Sequence, residues 1–161
     1  MKHTVSCIVE NNPGVLASIA GSFAEVGINI TSLAVGETED IALSRMTIVV
    51  NCEEDKLSHV VEHLQELMEV MRVEDLDREE FIERELMLVK VKAEGEDIAK
   101  VMQLVEIFHA TVVGISREGL VIEMCGLDTR VDALVDLLRP FGIVELARTG
   151  RVAVEHHEDT D

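Results

Sequence analysis

Aromatic side chains are nearly missing from this chain: its 161 residues include four Phe, no Trp and no Tyr. Stacking platforms for bases or sugars are therefore lacking, and any core has to be built from Val, Leu, Ile and seven Met. Basic residues are few as well. Lys plus Arg come to 14 against 32 Asp plus Glu, a formal net charge of −18. That balance argues against nucleic acid, whose binders carry a basic patch, and against anionic membrane surfaces. With only five lysines, it fits a chain kept soluble in a salty cytosol. The three cysteines, Cys7, Cys52 and Cys125, are odd in number and form no C-x-x-C. Neither a disulfide framework nor a zinc ribbon is indicated, and buried thiols in a reducing compartment are expected. No apolar run approaches the ~20 residues of a membrane span. Met1-Lys2-His3-Thr4 leads straight into a short alternating segment without a signal-peptide h-region, so a cytoplasmic protein is expected.

What is present is aliphatic and periodic. Hydrophobic residues make up 47%, too many for a disordered chain, and the length suffices to bury a core in one domain or two small ones. Residues 4–9 alternate, with Val5, Cys7 and Val9 on one face of a strand. Asn-Pro-Gly breaks it, and residues 15–26 place Val15, Leu16, Ile19, Ala20, Phe23 and Val26 at helical spacing, closed by Gly27. Strands follow at 28–35 and 43–50 around the acidic turn Glu37 to Asp40. A helix over 54–69 carries Leu57, Val60, Val61, Leu64, Leu67 and Met68 on one stripe, and a strand runs over 70–74. This order, β-α-β-β-α-β, is that of ferredoxin-like folds.

The order then repeats. A strand is expected near 85–92, and a helix near 96–108 with Ile98, Val101, Met102, Val105 and Phe108 on one side. Strands near 111–116 and 120–125 come next, then a helix near 129–139 with Val131, Leu134, Val135 and Leu138 inward, and a strand pair near 143–154. The predicted architecture is α+β, two tandem ferredoxin-like βαββαβ units over 1–76 and 85–155, an acidic linker at 77–84 and an acidic tail at 156–161. Sheets covered by helices on one face favour dimers that cover the other.

Catalytic chemistry is hard to find. His59-Val60-Val61-Glu62-His63 matches the H-x-x-E-H pattern of inverted zinc proteases. At about 100° per residue, however, its ligand residues fall opposite the apolar stripe, on a solvated face. His156-His157 sit among acids in the tail. G-x-S-x-G, P-loop and G-x-G-x-x-G patterns are absent. No catalytic residue and no metal site is expected.

One constellation stands out: Asn11-Asn12-Pro13-Gly14-Val15-Leu16 between the first strand and helix, with Gly27-Ile28-Asn29-Ile30 entering the second strand. A helix N-terminus presents free N–H groups that suit a carboxylate. Gly14 lets a ligand approach, and Asn11 and Asn29 both donate and accept. Val15, Leu16 and Ile30 offer an apolar wall. A plain strand–helix turn explains the same residues.

Glu-Asn-Asn-Pro-Gly-Val-Leu followed by Gly-Ile-Asn-Ile resembles the effector-binding signature of ACT domains. Thr38-Glu39-Asp40, Leu43 to Val50, Glu83 to Val91, Phe141 to Glu145 and Ala147 to Gly150 extend the likeness. Together they resemble the regulatory (small) subunit of acetolactate synthase over residues 2–154. The resemblance implies a non-catalytic chain without its own cofactor. Its partner would be a catalytic large subunit carrying thiamine diphosphate, Mg and FAD, which it activates and subjects to feedback inhibition by valine or another branched-chain amino acid. It implies a homodimer or higher assembly, with the effector held by Asn11, Gly14, Val15 and Leu16 of one chain and Asn29 and Ile30 of its partner. Pro13, Ala17 and His109 depart from the family's common residues. A freestanding ACT-type amino-acid sensor acting on another enzyme is the alternative, but it leaves the second-half segments unexplained.

Overall fold

The computed structural model describes residues 1–78 and 80–156, in two compact units. The first unit comprises Met1–Ile82 and the returning segment from Arg151; the second is Glu83–Gly150.

In the first unit, β1 (Lys2–Glu10), α1 (Val15–Glu25), β2 (Ile30–Glu37), β3 (Leu43–Asn51), α2 (Glu54–Gln65) and β4 (Val70–Asp75) follow one another, and a 3-10 turn over Leu76–Arg78 closes the series. The antiparallel sheet has the order β2-β3-β1-β4. Val5, Cys7 and Val9 of β1 pack with Ile19 and Phe23 of α1, Ile48 of β3, and Leu57 and Leu64 of α2. The alternation of β1 thus sets the buried face, since successive side chains of a strand point to opposite sides.

The second unit repeats the plan with β5 (Phe81–Val91), which starts in the first unit, then α3 (Glu96–Ile107), β6 (Thr111–Ser116), β7 (Gly119–Gly126), α4 (Asp128–Leu138) and β8 (Ile143–Arg148). Its order is β6-β7-β5-β8, and β9 (Val152–Glu155) also pairs with β5. Met87, Val89, Val91, Ile122, Val131, Leu134 and Leu138 form its core. The chain is therefore α+β with two βαββαβ units, as the periodicity predicts.

Two helices end in the same way. After α1, Gly27 has φ +70°, its N–H donates to Ala24 O (3.0 Å), and the Ile28 N–H donates to Phe23 O (2.9 Å). After α3, His109 takes the corresponding place at φ +53°, its N–H donates to Glu106 O (3.2 Å), and the Ala110 N–H donates to Val105 O (2.9 Å). Both are Schellman ends, in which a left-handed residue frees two N–H groups to satisfy the last carbonyls.

The structure departs from the sequence expectations at definite places. α2 stops at Gln65, so Met68 lies beyond the helix and is 89% exposed. Leu16, assigned to the apolar stripe of α1, is 44% exposed, and Ile98 and Met102 of α3 are exposed too, because a helix resting on one sheet buries only a narrow arc. Residues 81–84, inside the expected linker, already belong to β5. Arg151 joins the first unit: its N–H donates to Ser32 Oγ (3.1 Å) and its guanidinium to Thr4 Oγ1 (2.6 Å). The cysteines are all free thiols, but only Cys7 is buried; Cys52 is half-buried and Cys125 exposed on β7. Burial pushes the Cys7 thiol up to about 12, which leaves it unreactive. Of the acidic tail, residues 157–161, and with them half of the His156-His157 pair, lie outside the described residues.

Candidate functional site: the turn before the first helix and the entry to β2

The chain leaves β1 through Asn11-Asn12-Pro13 and enters α1 at Val15, with Gly14 as the N-cap at φ +90°, ψ −16°. That left-handed backbone is what requires glycine here. A Cβ at Gly14 would meet nothing within 4 Å, so the position is sterically open. Val15 N–H donates weakly to Asn12 O (3.4 Å), and Gly14 O accepts from Ser18 N–H (3.0 Å). The next first-turn N–H groups, of Leu16 and Ala17, have no acceptor within the helix, because no residue stands four places before them in it. They open onto the positive end of the helix dipole, where a carboxylate is favoured. No acidic side chain sits in this first turn, so nothing of α1's own competes for that end.

The side chain of Asn11 is fixed by the β2–β3 turn. Its Nδ2 donates to Ile41 O (3.0 Å) and to Glu37 Oε1 (3.2 Å), and its N–H donates to Ala42 O (2.8 Å). Asn12 Nδ2 donates to Glu10 Oε2 (2.9 Å). Asn11 therefore ties the start of α1 to the end of β2. Sequence reading singled out Asn11 but not Glu37 or Ile41, its holders. The one signal available was the acidic turn that follows Glu37, and it gives no hint of this pairing across 26 residues.

Of the six residues singled out for the effector, the chain brings four together: Asn11, Gly14, Val15 and Leu16. Val15 is buried in the core, so only its backbone faces the turn, and exposed Leu16 is the side chain able to contact a ligand there. Asn29 and Ile30 stand at the other end of α1. Nine helical residues, 17–25, lie between Leu16 and that end, about 14 Å along the axis. Asn29 is exposed, while Ile30 is half-buried against the core and opposite Val50 of β3. The strand that begins at Ile30, β2, is an edge: it pairs with β3 on one side only.

The H-x-x-E-H residues His59, Glu62 and His63 are exposed along α2. Among the described residues they do not bring three ligand atoms within reach of one ion. In the second unit, a cleft of about 640 Å³ opens beside Lys90, Lys92, Val121 and Val144; nothing in the sequence had marked it.

Two segments of the sequence likeness meet in space. Arg148 forks onto Glu85, Nε to Oε1 and Nη2 to Oε2, both at 2.8 Å, and its Nη1 donates to Asp132 Oδ1 (2.7 Å). Glu85 is only 4% exposed. The Glu85 hydrogen bonds, aided by Asp132, hold the guanidinium even more firmly protonated than usual. Beside them, Leu86 N–H donates to Thr149 Oγ1 (3.1 Å), and Thr149 N–H to Leu86 O (3.0 Å).

Comparison with known proteins shows the family. Residues 5–72 match the model of the AHAS small subunit-like ACT domain, and residues 84–157 match that of the small subunit of acetolactate synthase. A probable acetolactate synthase small subunit of Archaeoglobus fulgidus is 46% identical over 154 residues, 96% of each chain. The acetolactate synthase small subunit of Mycolicibacterium smegmatis is 41% identical over 152 residues, 94% of this chain and 89% of that one. The crystal structure of the small subunit from Thermotoga maritima superposes with a TM-score of 0.88 at 38% identity, covering 98% and 99% of the two chains. The whole of the fold, first strand to last, is thus shared with these proteins, and the chain belongs to the acetolactate synthase small-subunit family.

Proposed function

We propose that this chain binds a catalytic large subunit of acetolactate synthase, raises its activity and makes it answer to a branched-chain amino acid, valine first among them. Thiamine diphosphate, Mg and FAD would reside on the large subunit, and this chain would contribute neither a cofactor nor a catalytic group. The observation that carries the effector site is the division of its six residues between the two ends of α1. One copy alone cannot close a ligand between Gly14 and Asn29. A second copy can. If two β2 edges pair antiparallel about a twofold axis, as isologous dimers do, Ile30 of one copy comes to stand beside Glu37 of the other. Glu37 is the residue that holds Asn11, so the two half-sites meet.

In this arrangement the amino acid's carboxylate docks on the N–H groups of Leu16 and Ala17. Its ammonium meets carbonyl or Asn oxygens, Asn29 of the second copy among them. Its side chain rests against Leu16 and the second copy's Ile30, and burying an isopropyl group contributes about 1.5–2 kcal/mol. Regulation then requires only that valine favour the dimer arrangement in which the catalytic partner is less active; a coupling of about 1–3 kcal/mol suffices.

Calorimetric titration of the full chain with valine, leucine and isoleucine tests the site. Binding of one of the three is expected, with affinity falling at least about tenfold in Gly14→Asp, which places a carboxylate where the ligand's should lie, and in Asn29→Ala. Unchanged binding in both variants overturns the assignment.

A further inference from the structure

We propose that His3, Asp75 and Asp77 form a site for one divalent transition-metal ion of the zinc type. His3 lies at the start of β1, 6% exposed, and neither of its ring nitrogens has a hydrogen-bond partner. A buried polar group left this way is costly, and native proteins satisfy nearly all of them. Its Nδ1 stands 4.0 Å from Asp77 Oδ2, too far for a hydrogen bond. One ligand atom from each of His3, Asp75 and Asp77 lies within 4.8 Å of the other two. An ion bonded at about 2.0–2.2 Å holds its ligand atoms roughly 3–4 Å apart, so a small contraction closes the set around a metal.

The two carboxylates are held ready. β1 and β4 are in register with Val5 opposite Asp75, which brings the end of β4 and the following 3-10 turn beside His3. Thr4 N–H donates to Asp77 Oδ2 (2.6 Å), Asp77 N–H to Asp75 Oδ1 (3.3 Å), and Arg78 Nε stands 3.2 Å from Asp75 Oδ2. Such outer contacts orient ligands and tune their affinity. Two carboxylates, one of them already paired with Arg78, and a neutral imidazole leave charge for a dication to balance. An imidazole with two carboxylates suits zinc, with manganese as a weaker substitute. Calcium is disfavoured, since it takes six to eight oxygens. The ion would fasten β1 to the β4 turn. It is remote from the turn before α1: seven residues of β1, 4–10, lie between His3 and Asn11, about 26 Å at strand rise.

The test is calorimetric titration of the chelator-stripped full chain with Zn²⁺, with thermal unfolding measured with and without the ion. One equivalent is expected to bind at this site and to raise the melting temperature by about 5 °C, reversibly with EDTA. His3→Gln, Asp75→Asn and Asp77→Asn should each weaken that binding at least about tenfold. Asp77→Asn keeps an oxygen for the Thr4 N–H, so it carries the test even if His3→Gln fails to fold, and its valine binding should equal that of the parent. The control is His59→Gln with His63→Gln, which removes the exposed histidines of α2. No bound equivalent, binding retained in His3→Gln and Asp77→Asn, or binding lost in the α2 control would overturn the proposal.

Discussion

At the residue scale, what matters most is which groups have lost their water and what replaced it. Glu85 has lost nearly all of its water, and Arg148 answers it with a two-pronged fork. Cutting one partner of such a pair leaves an uncompensated buried charge. Arg148→Met should therefore cost about 2–3 kcal/mol, at or just below the lower end of the range for buried pairs because the guanidinium is partly exposed. Combining it with Glu85→Leu should return much of that loss. Urea unfolding of the three variants measures this directly, and a loss below about 0.5 kcal/mol in Arg148→Met would show that the pair is effectively solvated. The turn at Asn11 to Gly14, proposed for the effector, was legible as a turn because glycine and asparagine announce one wherever they cluster. What the sequence did not reveal is how Asn11 is held. Its partners Glu37 and Ile41 are 26 and 30 residues away, and only the paired strands bring them close. His3 was illegible for the same reason: its neighbours Asp75 and Asp77 lie more than 70 residues along the chain, joined to it by the β1–β4 register.

At the scale of elements, periodicity was a good guide wherever one face of an element is buried. The alternation of Val5, Cys7 and Val9 and the stripe Val131, Leu134, Val135 and Leu138 end up in the cores as read. It misled where an apolar residue continues the spacing past the element's end, as Met68 does, and where acids hide a strand's first residues, as at Phe81 to Arg84 of β5. The strand pair expected near 143–154 is present as β8 and β9, but the return of Arg151 to the first unit could not be foreseen. Arg151 reaches Thr4 across 147 positions, and nothing local signals that contact. The matching helix ends of α1 and α3 give a prediction of their own. His109 occupies the left-handed position that Gly27 fills in the first unit, and a non-glycine residue there is disfavoured by roughly 1 kcal/mol. His109→Gly should raise the stability of the chain by about that amount in chemical unfolding. A loss of stability instead would mean that the imidazole makes contacts outweighing its backbone strain.

At the scale of the whole molecule, charge and repetition set the terms. A net charge of −18 on 161 residues destabilises any compact state through self-repulsion, and salt screens it over a Debye length of about 10 Å at 0.1 M. Unfolding free energy should therefore climb from low salt to about 0.5 M salt; a flat profile would show that the acids are already neutralised by their neighbours. The two βαββαβ units differ in the feature that carries regulation in this account. Each unit starts its first helix at a positive-φ glycine, Gly14 or Gly95, and follows it with an edge strand, but the first turn of α1 is free of acids whereas that of α3 carries Glu96 and Asp97.

The most direct test of the central claim is acetolactate formation by a catalytic large subunit, measured with and without this chain and with and without valine. Adding the chain should raise the rate, valine should withdraw that gain, and Gly14→Asp should keep the gain while losing the response to valine. If the chain leaves the rate unchanged, or if Gly14→Asp responds to valine as the parent does, the account is wrong.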